Sequence, residues 1–149
     1  ILKHLNLKAY QQLLFTSMRY GEPRSLDGNS HHAVTPKTAI LCVTGIAQPA
    51  PYVEHLKQMT DQIDHITFPD HHNYSDTDIK HILQEYDKIS STDKCIFTTE
   101  KDAVRLTLCD IPEEIKRQIF YIPIEPEFLT PRDQLIKNIY DYVRQDTRK

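Results

Sequence analysis

The chain has 149 residues, 39% hydrophobic and 26% charged, a balance that suits one soluble globular domain with a real core. Its formal net charge of -3 gives no broad basic field and argues against a nonspecific nucleic-acid binder. No apolar run approaches the ~18 residues needed to span a bilayer, and no signal peptide is visible.

The first residue is Ile1 rather than Met, which suggests processing or a longer parent chain. Cys42, Cys95 and Cys109 are odd in number and lack CxxC spacing, so they read as free thiols in a reducing compartment. The three glycines, Gly21, Gly28 and Gly45, cannot be written into either common glycine-rich phosphate cradle.

The first predicted strand runs from Tyr10 to Tyr20 and ends at Gly21-Glu22-Pro23. A polar stretch from Asp27 to Lys37 follows, with the His31-His32 pair inside it. Its composition marks a hinge, which divides the chain into a strand-and-linker segment, residues 1–37, and an α/β domain, residues 38–149. The run Thr38–Thr44 is continuously apolar, as a buried strand requires, and Gly45 ends it. A helix over Pro49–Thr60 places Val53, Leu56 and Met59 on one face. The next strand is Asp64–Phe68, and the next helix Asp76–Ile89, with Ile79, Ile82, Leu83, Tyr86 and Ile89 at helical spacing. Ser75 is its expected N-cap, with Asp78 three residues on. Lys94–Thr99 is a third strand of this series, followed by a short helix through Ala103, Val104 and Leu106. Ile119–Ile124 is a fourth, and Pro123 suggests an edge position. Thr130 as N-cap and Pro131 at N1 open the last helix, with a stripe of Leu135, Ile136, Ile139 and Val143 and Tyr140 beside it.

Strands alternating with helices imply a mainly parallel sheet with helices on both faces, a Rossmann-like α/β fold. In such a sheet, ligands bind at the carboxyl ends of the strands. Three stretches fall there: Thr44-Gly45-Ile46-Ala47, Phe68-Pro69-Asp70-His71-His72 and Thr98-Thr99-Glu100-Lys101-Asp102. Gly45 permits a tight turn and close backbone approach, which an ordinary strand-to-helix turn also uses. Asp70 and His71 can act as an acid–base dyad, the carboxylate fixing the imidazole tautomer. His72 points elsewhere, because neighbours on an extended chain face opposite ways. A helix-capping Asp beside surface histidines is the plainer reading of the same residues. In the third stretch Lys101 can meet a phosphate. Glu100 and Asp102 can meet a cation or pair with Lys101, or simply favour a helix N-terminus.

Taken together with Gln48-Pro49 and Ala103-Val104-Arg105, the three stretches resemble the tetraacyldisaccharide 4'-kinases of Gram-negative bacteria in order and spacing. The first 35 residues are most similar to the Bacteroidetes branch. The resemblance implies ATP- and Mg²⁺-dependent phosphorylation of the 4'-hydroxyl of tetraacyldisaccharide 1-phosphate in lipid A biosynthesis, at the cytoplasmic face of the inner membrane. It implies a P-loop-type α/β enzyme of which this chain is the carboxyl-terminal portion. The phosphate-binding loop, the Mg²⁺-binding acids and the membrane-docking helix then belong to an amino-terminal partner domain. The family's functional histidine maps onto His71, where it supports an upstream aspartate base, and Asp70 orients it. His72, Gly45, Thr99, Glu100, Lys101 and Asp102 fall near substrate or phosphate. No residue here is expected to bind metal, and the chain alone is expected to be inactive. Two other readings stand beside this one. An Asp-His-His metal-dependent phosphoesterase would need further ligands at other strand ends. A non-catalytic Rossmann-like binding module is equally compatible with the fold.

Overall fold

A computed structural model describes residues 6, 8, 11, 13–129 and 132–146. The expected cap at Thr130 and Pro131, and the start of the first strand at Tyr10, lie outside the described residues. The chain forms two compact units, one of residues 20–124 and one of residues 1–19 with 125–149.

The larger unit is built on a five-stranded sheet. Its strands are β2 (Arg24–Ser25), β3 (Ala39–Thr44), β4 (Ile63–Thr67), β5 (Lys94–Thr99) and β6 (Ile119–Ile122), while β1 (Thr16–Tyr20) belongs elsewhere. The spatial order is β2-β6-β5-β3-β4, and every pair is parallel except β2 with β6. The sheet is thus mainly parallel, as the alternating pattern implied. All six residues of β3 are buried, which is why its sequence is apolar throughout.

Period-two alternation divides the core. Leu41, Val43, Ile96 and Ile119 pack with Ile79, Ile82 and Tyr86 of α2 (Asp76–Lys88) and Leu106 of α3 (Glu100–Leu106). Ile40, Cys42, Cys95, Phe97, Phe120 and Ile122 pack with Tyr52 and Leu56 of α1 (Ala50–Leu56). Helices therefore cover both faces. Phe97 is fully buried, and truncating it to alanine would cost about 3–5 kcal/mol. Cys42 and Cys95 are buried free thiols, and burial followed by the charge of Asp102 pushes Cys42 up to about 12. Cys109 is a half-buried free thiol.

Several expected boundaries shift for identifiable reasons. The helix expected to reach Thr60 closes at Leu56, and tighter turns through Gln58 and Met59 finish it. Thr60 Oγ1 then donates to the carbonyl of Thr38 at 2.8 Å and ties this end to β3. The segment 27–37 is anchored at His32, whose Nε2 lies 2.9 Å from Asp93 Oδ1 and joins the loop to the start of β5. Ser75 caps α2 as expected, in a reciprocal capping box with Asp78.

The inference from Pro123 is corrected. Strand β6 is interior, because the two-residue β2 pairs with its outer side. Pro123 instead marks where the chain leaves the sheet. Its carbonyl accepts the Gly21 N–H at 2.8 Å, and the chain resumes as β7 (Ile124–Phe128). A short α4 (Glu113–Lys116) precedes β6.

In the smaller unit, β7 pairs with β1 in a two-stranded sheet, and Arg19 pairs with Glu125. Of the described residues of the first expected strand, Thr16–Tyr20 form β1. Helix α5 (Arg132–Asp146) carries the expected stripe; Leu135 is half-buried, while Ile136, Ile139, Val143 and Tyr140 are exposed. Among the described residues, no helix is long and apolar enough to cross a membrane.

Candidate active site at the strand rim

Strand β3 connects through α1 to β4 on one side, while β5 connects through α3 and α4 to β6 on the other. The order therefore reverses between β3 and β5, and the crevice for a ligand opens at their carboxyl ends. The three stretches singled out in the sequence meet there.

Asp102 joins them. It lies in the first turn of α3 and is fully buried. Its Oδ2 accepts the Gly45 N–H at 2.8 Å and the Thr99 hydroxyl at 2.7 Å. Its Oδ1 accepts Arg105 Nη1 at 3.0 Å. An unpaired buried carboxylate would cost several kcal/mol, and these three donors offset that cost. Thr99 in turn caps α3 by accepting the Asp102 N–H at 3.1 Å. Asp102 thus welds the end of β5 to the end of β3.

Gly45 is needed for that approach. A Cβ built there would lie 3.0 Å from Asp102 Oδ1, 3.2 Å from Tyr74 Oη and 3.4 Å from the Cβ of His72. The Tyr74 hydroxyl is buried beside Asp102 and makes no well-formed hydrogen bond among the described residues. Burial, then the charge of Asp102, holds its phenol well above the usual range.

The loop after β4 carries the acid and the two histidines. His71 adopts φ 60, the left-handed region that L residues seldom enter. This turn separates the two imidazoles. His71 is 72% exposed in its side chain, with Nε2 at 3.5 Å from Asp70 Oδ2, an ion-pair distance rather than a hydrogen bond. Asp70 Oδ1 accepts the backbone N–H of His71 at 2.9 Å and faces Lys101 Nζ at 3.4 Å. Burial alone would raise the Asp70 carboxyl, but the charges of His71 and Lys101 and the backbone hydrogen bond together lower it. His72 turns away, as alternation suggested. Its Nε2 lies 3.0 Å from Asp78 Oδ2, and its ring stacks on Phe68. Asp78 is lowered to about 2, chiefly by the Ser75 backbone and side-chain hydrogen bonds, with His72 adding to them.

The pairing expected of Lys101 is different in the structure. Its partner is Asp70 on the neighbouring loop, while Asp102 pairs with Arg105. Glu100 is exposed and reaches toward the Ile124 N–H at 3.5 Å. Arg105 is the residue that sequence reasoning quoted without a role. Besides Asp102, it approaches the Gly45 carbonyl and His71 Nδ1, both at 3.4 Å. Its spacing of three from Asp102 was the available signal. Tyr74 gave none.

At Gly45 and Asp102 the rim offers neither an open phosphate cradle nor a free carboxylate for Mg²⁺. Gly45 is filled around by side chains rather than open to a phosphate, and both Asp102 oxygens are committed to protein donors. The Asp-His-His triplet does not converge either, since His72 faces Asp78 and Asp70 faces Lys101. Among the described residues, no three His, Cys, Asp or Glu side chains are grouped to hold a metal. That is the ligand set the phosphoesterase reading requires.

The model of the family described as tetraacyldisaccharide-1-P 4'-kinase matches residues 3–144. The chain belongs to the tetraacyldisaccharide 4'-kinase family. A tetraacyldisaccharide 4'-kinase of Bacteroides thetaiotaomicron is 45% identical over 99% of this chain, and one of Bacteroides fragilis is 38% identical over 99%. The chain spans 42% of the length of each. Phocaeicola vulgatus supplies a further relative of that name at 38% identity. The fold is that of LpxK from Aquifex aeolicus, solved in complex with ATP, with a TM-score of 0.55 at 15% identity over 92% of this chain and 38% of that one. The resemblance drawn from the three rim stretches thus identified the family, and Bacteroidetes relatives carry the similarity.

Proposed function

We propose that this chain is the carboxyl-terminal portion of a kinase that transfers the ATP γ-phosphate to the 4'-hydroxyl of tetraacyldisaccharide 1-phosphate in lipid A biosynthesis. The observation that carries the reading is the placement of an exposed His71 at the topological switch point, in a chain matched by the kinase family along residues 3–144. In this reading residues 1–37 lead in from an amino-terminal domain. That domain supplies the ATP phosphate cradle, the Mg²⁺-binding acids and peripheral contact with the cytoplasmic face of the inner membrane.

Phosphoryl transfer depends mainly on positioning and on stabilising charge that develops at the phosphate. Mg²⁺, bound elsewhere, would supply most of that charge stabilisation. The work of this chain is to present His71 over the acceptor sugar. A neutral imidazole has one N–H, here on Nε2; Asp70 Oδ2 at 3.5 Å is too far to take it in a hydrogen bond, so it is free to donate to an aspartate base from the amino-terminal domain. Asp70 keeps the ring oriented from one side. Lys101 holds Asp70 in turn.

The test is complementation. The 149 residues alone should give no ATP-dependent phosphorylation of the lipid disaccharide, and adding the amino-terminal domain should restore it. Activity in the isolated chain would remove the divided-site reading. Inertness in the restored combination would favour a binding module.

A further inference from the structure

We propose that Arg105, clamped by the buried Asp102, is a positioning residue that sets the tautomer of His71. Arginine has five donors and no acceptor, so the His71 nitrogen that meets it must carry the lone pair. That nitrogen is Nδ1, at 3.4 Å from Arg105 Nη2. The proton of the neutral ring then sits on Nε2, which faces Asp70 Oδ2 at 3.5 Å. The guanidinium is itself fixed at two further points, Asp102 Oδ1 at 3.0 Å and the Gly45 carbonyl at 3.4 Å. Asp102 is fixed by Gly45 and Thr99. Order therefore passes from a fully buried carboxylate to a largely exposed imidazole through one planar cation. The fork is essential to it. A lysine ammonium is a point charge on a flexible stem and does not hold Asp102 and His71 in one geometry. His71, which meets this clamp, is itself the residue with the left-handed backbone.

The first experiment uses the 149-residue chain with ¹⁵N-labelled histidine, read by the Nδ1 and Nε2 shifts of neutral His71. The wild type should show Nε2–H. Arg105→Met should raise the Nδ1–H share about fivefold, the factor a surface hydrogen bond from a charged donor supports. Arg105→Lys keeps a cation beside Asp102 and so keeps the fold, yet should raise the share in the same way. An unchanged share in the folded variants overturns the proposal. Should Arg105→Met fail to fold, Arg105→Lys alone decides.

The consequence for catalysis rests on the kinase reading. In the full-length enzyme Arg105→Lys should lower kcat about tenfold with KM unchanged, the signature of lost transition-state alignment. An unchanged kcat overturns the positioning role. Failure of the kinase reading itself would appear as a wild-type full-length protein without activity, and the tautomer measurement would still decide the structural claim.

Discussion

Replacing Asp102 with Asn keeps the shape of the side chain and removes one oxygen acceptor from the buried junction. The amide oxygen can stay with the Gly45 N–H and the Thr99 hydroxyl, at 2.8 and 2.7 Å in the native protein. Its NH₂ then faces the Arg105 guanidinium, donor against donor, where a carboxylate oxygen sat at 3.0 Å. Flipping the amide relieves Arg105 but sets NH₂ against the buried Gly45 N–H. Either way one partner is orphaned. Breaking a fully buried pair costs about 3–5 kcal/mol. Arg105 keeps 18% of its side-chain exposure, and water reaching it lowers the cost. Allowing for that, the loss should be about 3 kcal/mol, or about 10 °C in Tm for a chain of this size. Urea denaturation should show a lower midpoint at unchanged slope, and exchange of the Gly45 amide should quicken. Glu100→Gln, in the same turn but exposed, should stay within about 0.5 kcal/mol. A loss below about 1 kcal/mol for Asp102→Asn would refute the claim that this carboxylate welds the rim.

Gly45→Ala should destabilise by about 1–3 kcal/mol in the same denaturation assay, because the new Cβ meets a carboxylate oxygen that three donors hold in place. His71→Gly should stabilise the fold by about 1 kcal/mol while removing the imidazole, since glycine relieves the left-handed backbone and keeps the N–H that Asp70 accepts. Stability should also fall in acid as Asp78 takes up a proton. Its folded value, about 2, lies below the ordinary 3.8 of a free aspartate, so its contribution is complete above 3.8 and disappears as pH falls toward 2. Asp78→Asn should remove that part of the pH profile, as read by thermal unfolding between pH 5 and pH 2.

The parallel sheet was legible because β3 and β5 are apolar on both faces and the helices between them keep a 3.6 period. The rim was legible for the same reason: once the strands are parallel, Gly45, Asp70 and Thr99 must lie at one edge. What was not legible is which acid, Glu100 or Asp102, turns inward. Charge alone makes Glu100 and Asp102 equivalent. Their positions on a seven-residue helix separate them, since only Asp102 stands three residues after the Thr99 cap and above Gly45. The Thr-x-x-Asp spacing carried that information. Strand β2 has two residues and no pattern to read, so the sequence shows β6 without its outer neighbour and Pro123 reads as an edge marker. His71 and His72 diverge for a reason that alternation only approximates: His71 adopts a left-handed backbone, with its N–H held by the adjacent Asp70 carboxylate, and no residue type there announces it.

The most direct measurement is steady-state phosphorylation of tetraacyldisaccharide 1-phosphate by the full-length protein, wild type against His71→Ala, with varied lipid at saturating ATP. The account predicts a fall in kcat of about a hundredfold or more with KM little changed, as expected when a general acid–base alignment made in the transition state is lost. An unchanged kcat in the folded variant would contradict the role given to His71 and, with it, the assignment of this rim to the reaction.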